Sequence, residues 1–312
     1  MRLAIKGDNL WAFLLVVFAL FCCAGCSSGE SGNAKPTDTL YSGKILISVD
    51  ESFKPVMDEF VKVYQSNYPG SEIEIRYKPE AECLKDFFVD SVRIVVATRG
   101  YTPGERSHIV DSFKVIPKKM IVARDAVAVI VHPDAQESLF TMQEIEQILT
   151  GTYKKKLIPV FDGLKATSTV RYIMDSVLKG KPLWPGTKGA DSSEAVIDYV
   201  SKHKDAVGFI GVSWVADKDD SLQIGFLKKI KIAQLESLDK KNSYILPVQA
   251  NIYYRRYPMV RDLIYTIKEN HQGLGKGFVG FMVGEKGQLL FKQSYLMPAQ
   301  LRLGIRRIRV YE

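Results

Sequence analysis

Five segments of alternating period between Lys44 and Arg99 limit the fold more than any other feature of the chain. KILISV (44–49) is a short apolar run of strand length. SFKPVMDEFVKVYQSNYP (52–69) places Phe53, Val56, Met57, Phe60, Val61 and Tyr64 on one face at helical spacing. EIEIRYK (72–78) alternates with period two, AECLKDFFVD (81–90) reads as a short helix, and VRIVVATR (92–99) reads as a buried strand. Strands and helices in β-α-β-α-β order bury their apolar faces best as a parallel sheet with helices packed on it, so the chain is expected to be α/β.

The rest of the chain continues the pattern. DAVAVIVHP (125–133) is a strong strand, and TMQEIEQILTG (141–151) has a Thr N-cap, a Glu three residues on and a Gly stop. KLIPVFDG (156–163) reads as a strand and turn, TSTVRYIMDSVLKG (167–180) and SSEAVIDYVSKH (192–203) as helices, and AVGFIGVSWV (206–215) as a strand. The stretch from Ile252 to Tyr295 mixes strand and helix signals, and GLGKGF (273–278) within it reads as a loop.

The N-terminus sets the compartment. A basic start, MRLAIKGD, leads into an apolar run of signal-peptide length that ends in Cys23-Ala24-Gly25-Cys26. Small residues before a cysteine resemble a bacterial lipobox, with Cys23 where Leu is usual. Residues 1–25 are therefore expected to be a lipoprotein signal peptide, with Cys26 acylated (diacylglycerol, palmitate-type chains) and residues 26–42 a lipidated, Ser/Gly/Asn-rich tether to a membrane of the cell envelope. A plain signal peptide or an uncleaved anchor is the competing reading. Cys83 is then the one cysteine left in the body, which excludes an internal disulfide and a Cys-ligated metal site there.

The sequence carries few motifs of catalytic or cofactor chemistry. Net charge is +8, but Lys and Arg are scattered, which argues against nucleic-acid binding. The four histidines are dispersed, and no GxSxG elbow, P-loop or GxGxxG is present. No enzyme, metal or cofactor is expected, and a hydrolase working through a carboxylate pair has no visible nucleophile and base. What recurs is Ser or Thr at helix starts: Ser52, Thr167-Ser168-Thr169 and Ser192-Ser193. Each is an ordinary cap; several facing one cleft would form an anion site from hydroxyls, free N–H groups and helix dipoles.

These motifs resemble the PstS family, the phosphate-binding proteins of bacterial phosphate ABC transporters, over about residues 43–300. The family's G-S-S-T-V-x-P turn matches Val49–Pro55, its D-I-A-x-A-S-R matches Arg93–Arg99, and its D-G-(I/V)-A-V-I-V-N-P matches DAVAVIVHP, with Asp125 and Pro133 kept. L-T-x-E-Q-(I/V)-x-x-I-F-x-G matches FTMQEIEQILTG, G-S-G-T-R matches Thr167–Arg171, and G-A-I-G-Y matches DAVGFIG. The family's C-terminal G-F-I-D-F-x-x-S-x-E-G-Q, ending in V-P, matches GFVGFMVGEKGQ followed by Met297-Pro298. The resemblance implies a two-lobed type II periplasmic binding-protein fold with an interlobe cleft. Lobe one would be 43–124 plus 249–312 and lobe two 125–248, with the chain crossing near 126–131 and 246–252. It also implies a monomeric, envelope-facing solute-binding lipoprotein that takes a small anion, phosphate, to an ABC transporter permease. Its ligand residues carry over to Ser52, Thr98, Arg99, Thr167, Ser168, Thr169 and Arg171, with Asp50 as an acceptor for a protonated ligand.

The chain departs from the family at its ligand loops. Asp50 and Glu51 stand where the family has serines, and Glu80-Ala81-Glu82 replaces its G-S-G. A carboxylate within about 4–6 Å of a phosphate oxygen repels it unless a proton is shared. Either Asp50 caps the helix while Glu51 and Glu82 face solvent, or the ligand is not phosphate and contains a cation or amine. Arg99 and Arg171 argue for an anion, or neutralise these acids in a salt-bridged cleft. The alternative function is a binding-protein fold reused as an envelope interaction or signalling module without a transported solute.

Overall fold

The segments of alternating period form the elements that their periods call for. The computed structural model describes residues 38–165, 167–216 and 220–300; the expected signal peptide, Cys26 and the tether up to residue 37 lie outside them. The chain begins β1 (Gly43–Asp50), α1 (Lys54–Asn67), β2 (Ser71–Lys78), α2 (Glu80–Asp86), β3 (Val92–Ala97) and α3 (Pro103–Phe113). β4 (Lys118–Val131), β5 (Leu139–Phe140), α4 (Met142–Thr150), β6 (Ile158–Phe161), α5 (Ser168–Tyr172), β7 (Lys188–Gly189), α6 (Ser193–Val200) and β8 (Ala206–Gly211) follow. The last part comprises α7 (Ser221–Lys229), β9 (Lys231–Ile232), β10 (Gln234–Glu236), β11 (Tyr244–Ile245), α8 (Gln249–Tyr253), β12 (Val260–Ile267), α9 (Leu274–Val283), α10 (Glu285–Gln293) and β13 (Met297–Pro298).

The main sheet runs β2-β1-β3-β12-β4-β8-β6-β7. β1 is parallel to β2 and β3, and β8 and β7 are both parallel to β6. The long strand β4 joins the two parallel halves. Its first part, Lys118–Ala126, pairs antiparallel with β12, and Val127–Val131 pairs antiparallel with β8. Arg261 stands directly opposite Asp125 where β4 passes from one half to the other.

Each half has its own core. Ile47, Val49, Phe53, Phe60 and Tyr64 pack against Leu274, Phe278 and Phe291 in the first. Val129, Phe140, Ile148, Phe161, Ile173 and Phe209 form the second, in which the Phe161 and Phe209 rings stack at 4.9 Å. Val160, Val196, Ile197, Val200 and Trp214 bury the opposite face of the β8 half. Burying one such side chain fully contributes about 1.5–3 kcal/mol. Cys83 is buried and free, and burial pushes its thiol up to about 12.

Two segments differ from expectation. GLGKGF is the start of α9, not a loop. Its glycines serve packing: a Cβ on Gly277 would lie 1.8 Å from the Leu40 carbonyl oxygen. Asp38 supplies the missing cap by accepting from Leu274 N–H at 2.7 Å. Asp38 also takes the Arg93 guanidinium and lies 2.9 Å from His271 Nε2, so the described end of the expected tether, Asp38–Ser42, is docked on the body. The helix expected over 167–180 is α5 followed by a π-helical turn, Ile173–Val177.

Gly208 of β8 has no room for a side chain. A Cβ there would lie 2.7 Å from Ile130, 2.8 Å from Val196 and 2.9 Å from Val200. Gly208→Ala is expected to lower stability by about 1–3 kcal/mol, read as a lower urea midpoint at unchanged slope. An unchanged midpoint would contradict this packing.

Candidate functional site

The parallel halves aim the C-terminal ends of β1, β3, β6 and β8 at one place, where open α/β sheets bind ligands. Asp50 ends β1, Thr98 follows β3 and Asp162 follows β6, and all three are buried. Helix α5 starts directly after the β6 turn, with Thr167 as N-cap accepting from Val170 N–H at 3.3 Å. Ser168 and Thr169 are fully buried beneath that cap.

Ser52, Ser168 and Thr169 meet around Asp162. Ser52 Oγ lies 3.3 Å from both Asp162 Oδ2 and Ser168 Oγ, and Thr169 Oγ1 lies 3.4 Å from Asp162 Oδ2. A hydroxyl donating tightly to a carboxylate sits at about 2.5–2.7 Å, so these contacts are loose. Arg261 enters from β12, 5% exposed. Its Nε donates to Asp125 Oδ2 at 2.8 Å, and its Nη1 donates to Ser168 Oγ at 2.9 Å and Thr169 Oγ1 at 3.3 Å. Arg261 Nη2, Asp50 Oδ2 and Asp162 Oδ1 are buried without a hydrogen-bond partner. The cluster therefore holds polar valence that the chain itself does not use.

Charge here is unbalanced: Asp50, Asp125 and Asp162 face the single guanidinium of Arg261. Burial pushes the Asp50 carboxyl up to about 7, Arg261 opposing it and Glu80 and Asp162 adding to it. Burial raises Asp162 as well. Asp50 Oδ1 also accepts from Ser52 N–H at 3.2 Å, which caps the 3-10 turn after β1.

The remaining expected residues form a second layer. Thr98 donates through N–H (2.9 Å) and Oγ1 (2.6 Å) to Glu80 Oε1. Arg171 pairs through Nε with Glu80 Oε2 and donates from Nη2 to Thr98 Oγ1 at 2.6 Å. Burial would raise Glu80, but Arg171 and Thr98 hold it below the usual value. Glu51 crosses to α6, where it accepts from Ser193 N–H (3.3 Å) and Ser193 Oγ (3.0 Å). Burial and the nearby Asp162 push its carboxyl up to about 7. Glu82 is exposed. Arg99 is not brought to the cluster: it forks onto Glu105 at 3.0 and 3.1 Å and donates to the Gly100 carbonyl. Arg261, Asp125 and Asp162 are the residues at this place that sequence reasoning did not pick out as ligand groups, whereas Ser193 belongs to one of the Ser/Thr helix starts it did name.

Asp50 and Glu51 hold protons more tightly in the fold than their ordinary values of 3.8 and 4.5 allow. The native state thus binds more protons than the unfolded chain between those values and about 7, and stability falls as pH rises through that window. Asp50→Asn is expected to lose about 2 kcal/mol less than the parent between about pH 5 and pH 8, seen as a flatter Tm profile. Parallel profiles would show that Asp50 is ionised throughout.

Comparisons with known proteins bear on the family and the fold. The pattern of the PBP superfamily domain matches residues 32–286. The phosphate-binding protein PstS of Pseudomonas aeruginosa is 20% identical over 286 residues, covering 83% of this chain and 85% of its own. A Clostridium perfringens protein solved with bound phosphate, proposed as a phosphate ABC transporter substrate-binding protein, superposes with a TM-score of 0.67 at 19% identity, over 82% of this chain and 100% of its own. An ABC-type phosphate transport receptor from Vibrio cholerae does so with a TM-score of 0.60 at 17% identity, over 82% and 100%. The fold is thus the two-lobed type II periplasmic binding-protein fold expected from the sequence.

Proposed function

The chain belongs to the PBP superfamily, and from that premise we propose that it is a membrane-anchored solute-binding protein that captures a small oxyanion, phosphate, between its lobes for ABC-type uptake. The anchor in this reading is acylated Cys26, and the lobes are 43–124 plus 249–312 and 125–248. The protein acts as a binder, not a catalyst. The observation that carries the reading is the central cluster: Ser52, Ser168, Thr169 and Arg261 converge with long contacts and an unused Arg261 Nη2. Hydroxyls and a guanidinium in a buried site suit a tetrahedral oxyanion, and the raised carboxyls of Asp50 and Asp162 can share a proton with one. The phosphate-binding relatives support the choice of ligand.

A second reading is favoured by Glu51 and Glu80, which already hold the donors of Ser193, Thr98 and Arg171. Here the fold serves as an envelope interaction or signalling module without a solute. Recovery of permease subunits from solubilised envelope with the tagged chain supports uptake; recovery of other proteins without a permease supports the module.

Calorimetric titration of inorganic phosphate into the full chain in detergent tests the first reading. Binding is expected, and the double substitution Ser168→Ala, Thr169→Val is expected to weaken it more than tenfold at retained fold, since each donor faces a charged acceptor. Absence of heat with the parent protein folded would overturn the phosphate reading. Arg99→Ala belongs in the same series: weaker binding means that Arg99 leaves Glu105 for the ligand, and unchanged affinity assigns it to the α3 cap.

A further inference from the structure

An oxyanion captured between two lobes is held by hydroxyls, helix-start N–H groups and guanidinium forks drawn from both sides. In this chain donors of those kinds are met across the cleft by carboxylates of the chain itself. Glu80 is 2% exposed and opens α2 behind Pro79, whose side chain cannot cap. Its carboxylate accepts from the Thr98 amide and hydroxyl on its own side. On the other side it receives Nε and Nη2 of Arg171, 91 residues away on α5. Arg171 is further aligned by Thr98 Oγ1 and by Asp175 at 3.3 Å.

Glu51 repeats the arrangement at the N-terminus of α6. Its two oxygens take the Ser193 amide and hydroxyl, 142 residues away. The Ser52 carbonyl also accepts across the cleft, from Ser213 Oγ at 3.2 Å and from Trp214 Nε1 at 3.1 Å. These contacts join the Ser52–Asp162, Ser52–Ser168 and Arg261–Ser168 contacts in spanning the cleft, and in two of them an acidic side chain of the chain itself takes donors of the kinds an anion would use. Departures from the family's hydroxyl and glycine loops account for both: Glu51 for a serine and Glu80 for the first residue of G-S-G.

We propose that Glu51 and Glu80 are built-in carboxylate ligands, a latch that closes the cleft through its own anion donors in the absence of solute. An oxyanion that reaches from the central cluster to Thr98 and Arg171 must displace Glu80 from them, so the latch lowers apparent affinity and sets a threshold for capture. That last consequence rests on the oxyanion reading above; the closure itself rests only on the contacts.

Hydrogen–deuterium exchange of the full chain in detergent, in phosphate-free buffer, tests the latch. Glu80→Gln keeps an acceptor for Thr98 and removes the charge that holds Arg171. It is expected to raise exchange at least tenfold in peptides covering 193–200 and 212–215, which Glu80 does not touch, and to raise phosphate affinity at least tenfold. Arg171→Gln, at a partly exposed side chain, should raise the same exchange, and it carries the test if Glu80→Gln fails to fold. Raised exchange with tighter phosphate binding supports latch and ligand together. Raised exchange with no phosphate binding in parent or variant keeps the latch and removes the phosphate reading. Parental exchange in both folded variants overturns the latch, whatever phosphate does.

Discussion

The buried pair of Arg261 and Asp125 is the interaction on which the rest depends. The two residues face each other across the β12–β4 ladder, at the point where β4 leaves one half of the sheet for the other. Both are buried, and Nε meets Oδ2 at 2.8 Å. A buried pair of this kind is weak evidence for stability, because desolvation cancels most of the attraction. Its value is positional. With Nε held by Asp125, the guanidinium is fixed, and Nη1 must point at Ser168 and Thr169. One strand crossing thereby sets both the junction of the halves and the charge at the centre of the cleft.

The fold was legible because it is written in local patterns. Period-two and period-3.6 runs named β1 to β3 and α1 to α2, and the capping box of Thr141 and Glu144 with Gly151 in the left-handed region bounded α4 as read. What escaped was set by distant partners. GLGKGF looks like a loop because three of its six residues are glycine, the poorest helix former after proline. It is helical because Asp38 caps it and because Gly277 admits the Leu40 carbonyl. No local window contains residues 236 positions apart.

The site divides along the same line. Ser52 and Thr167–Thr169 were visible as helix starts, and the helix starts do converge. Arg261 was not visible as a ligand group. It sits in VRDLIYTI, where Arg261-Asp262 looks like the polar beat of an ordinary half-exposed strand, and only pairing with β4 turns Arg261 inward and Asp262 outward. Asp162 read as a turn residue for the same reason. Of the four acids that raised doubt about phosphate, Glu82 faces solvent, Asp50 caps its turn from inside the cluster, and Glu51 and Glu80 reach across the cleft. Neither of the two simple alternatives for these acids describes all four.

That division has an energetic consequence. Carboxylates on the chain compete with a free oxyanion at an effective concentration that tethering places in the millimolar range or above. The apparent dissociation constant of the solute rises in inverse proportion to the fraction of molecules whose donors are released. On the oxyanion reading, a cleft built this way binds its solute only above a level that Glu51 and Glu80 define.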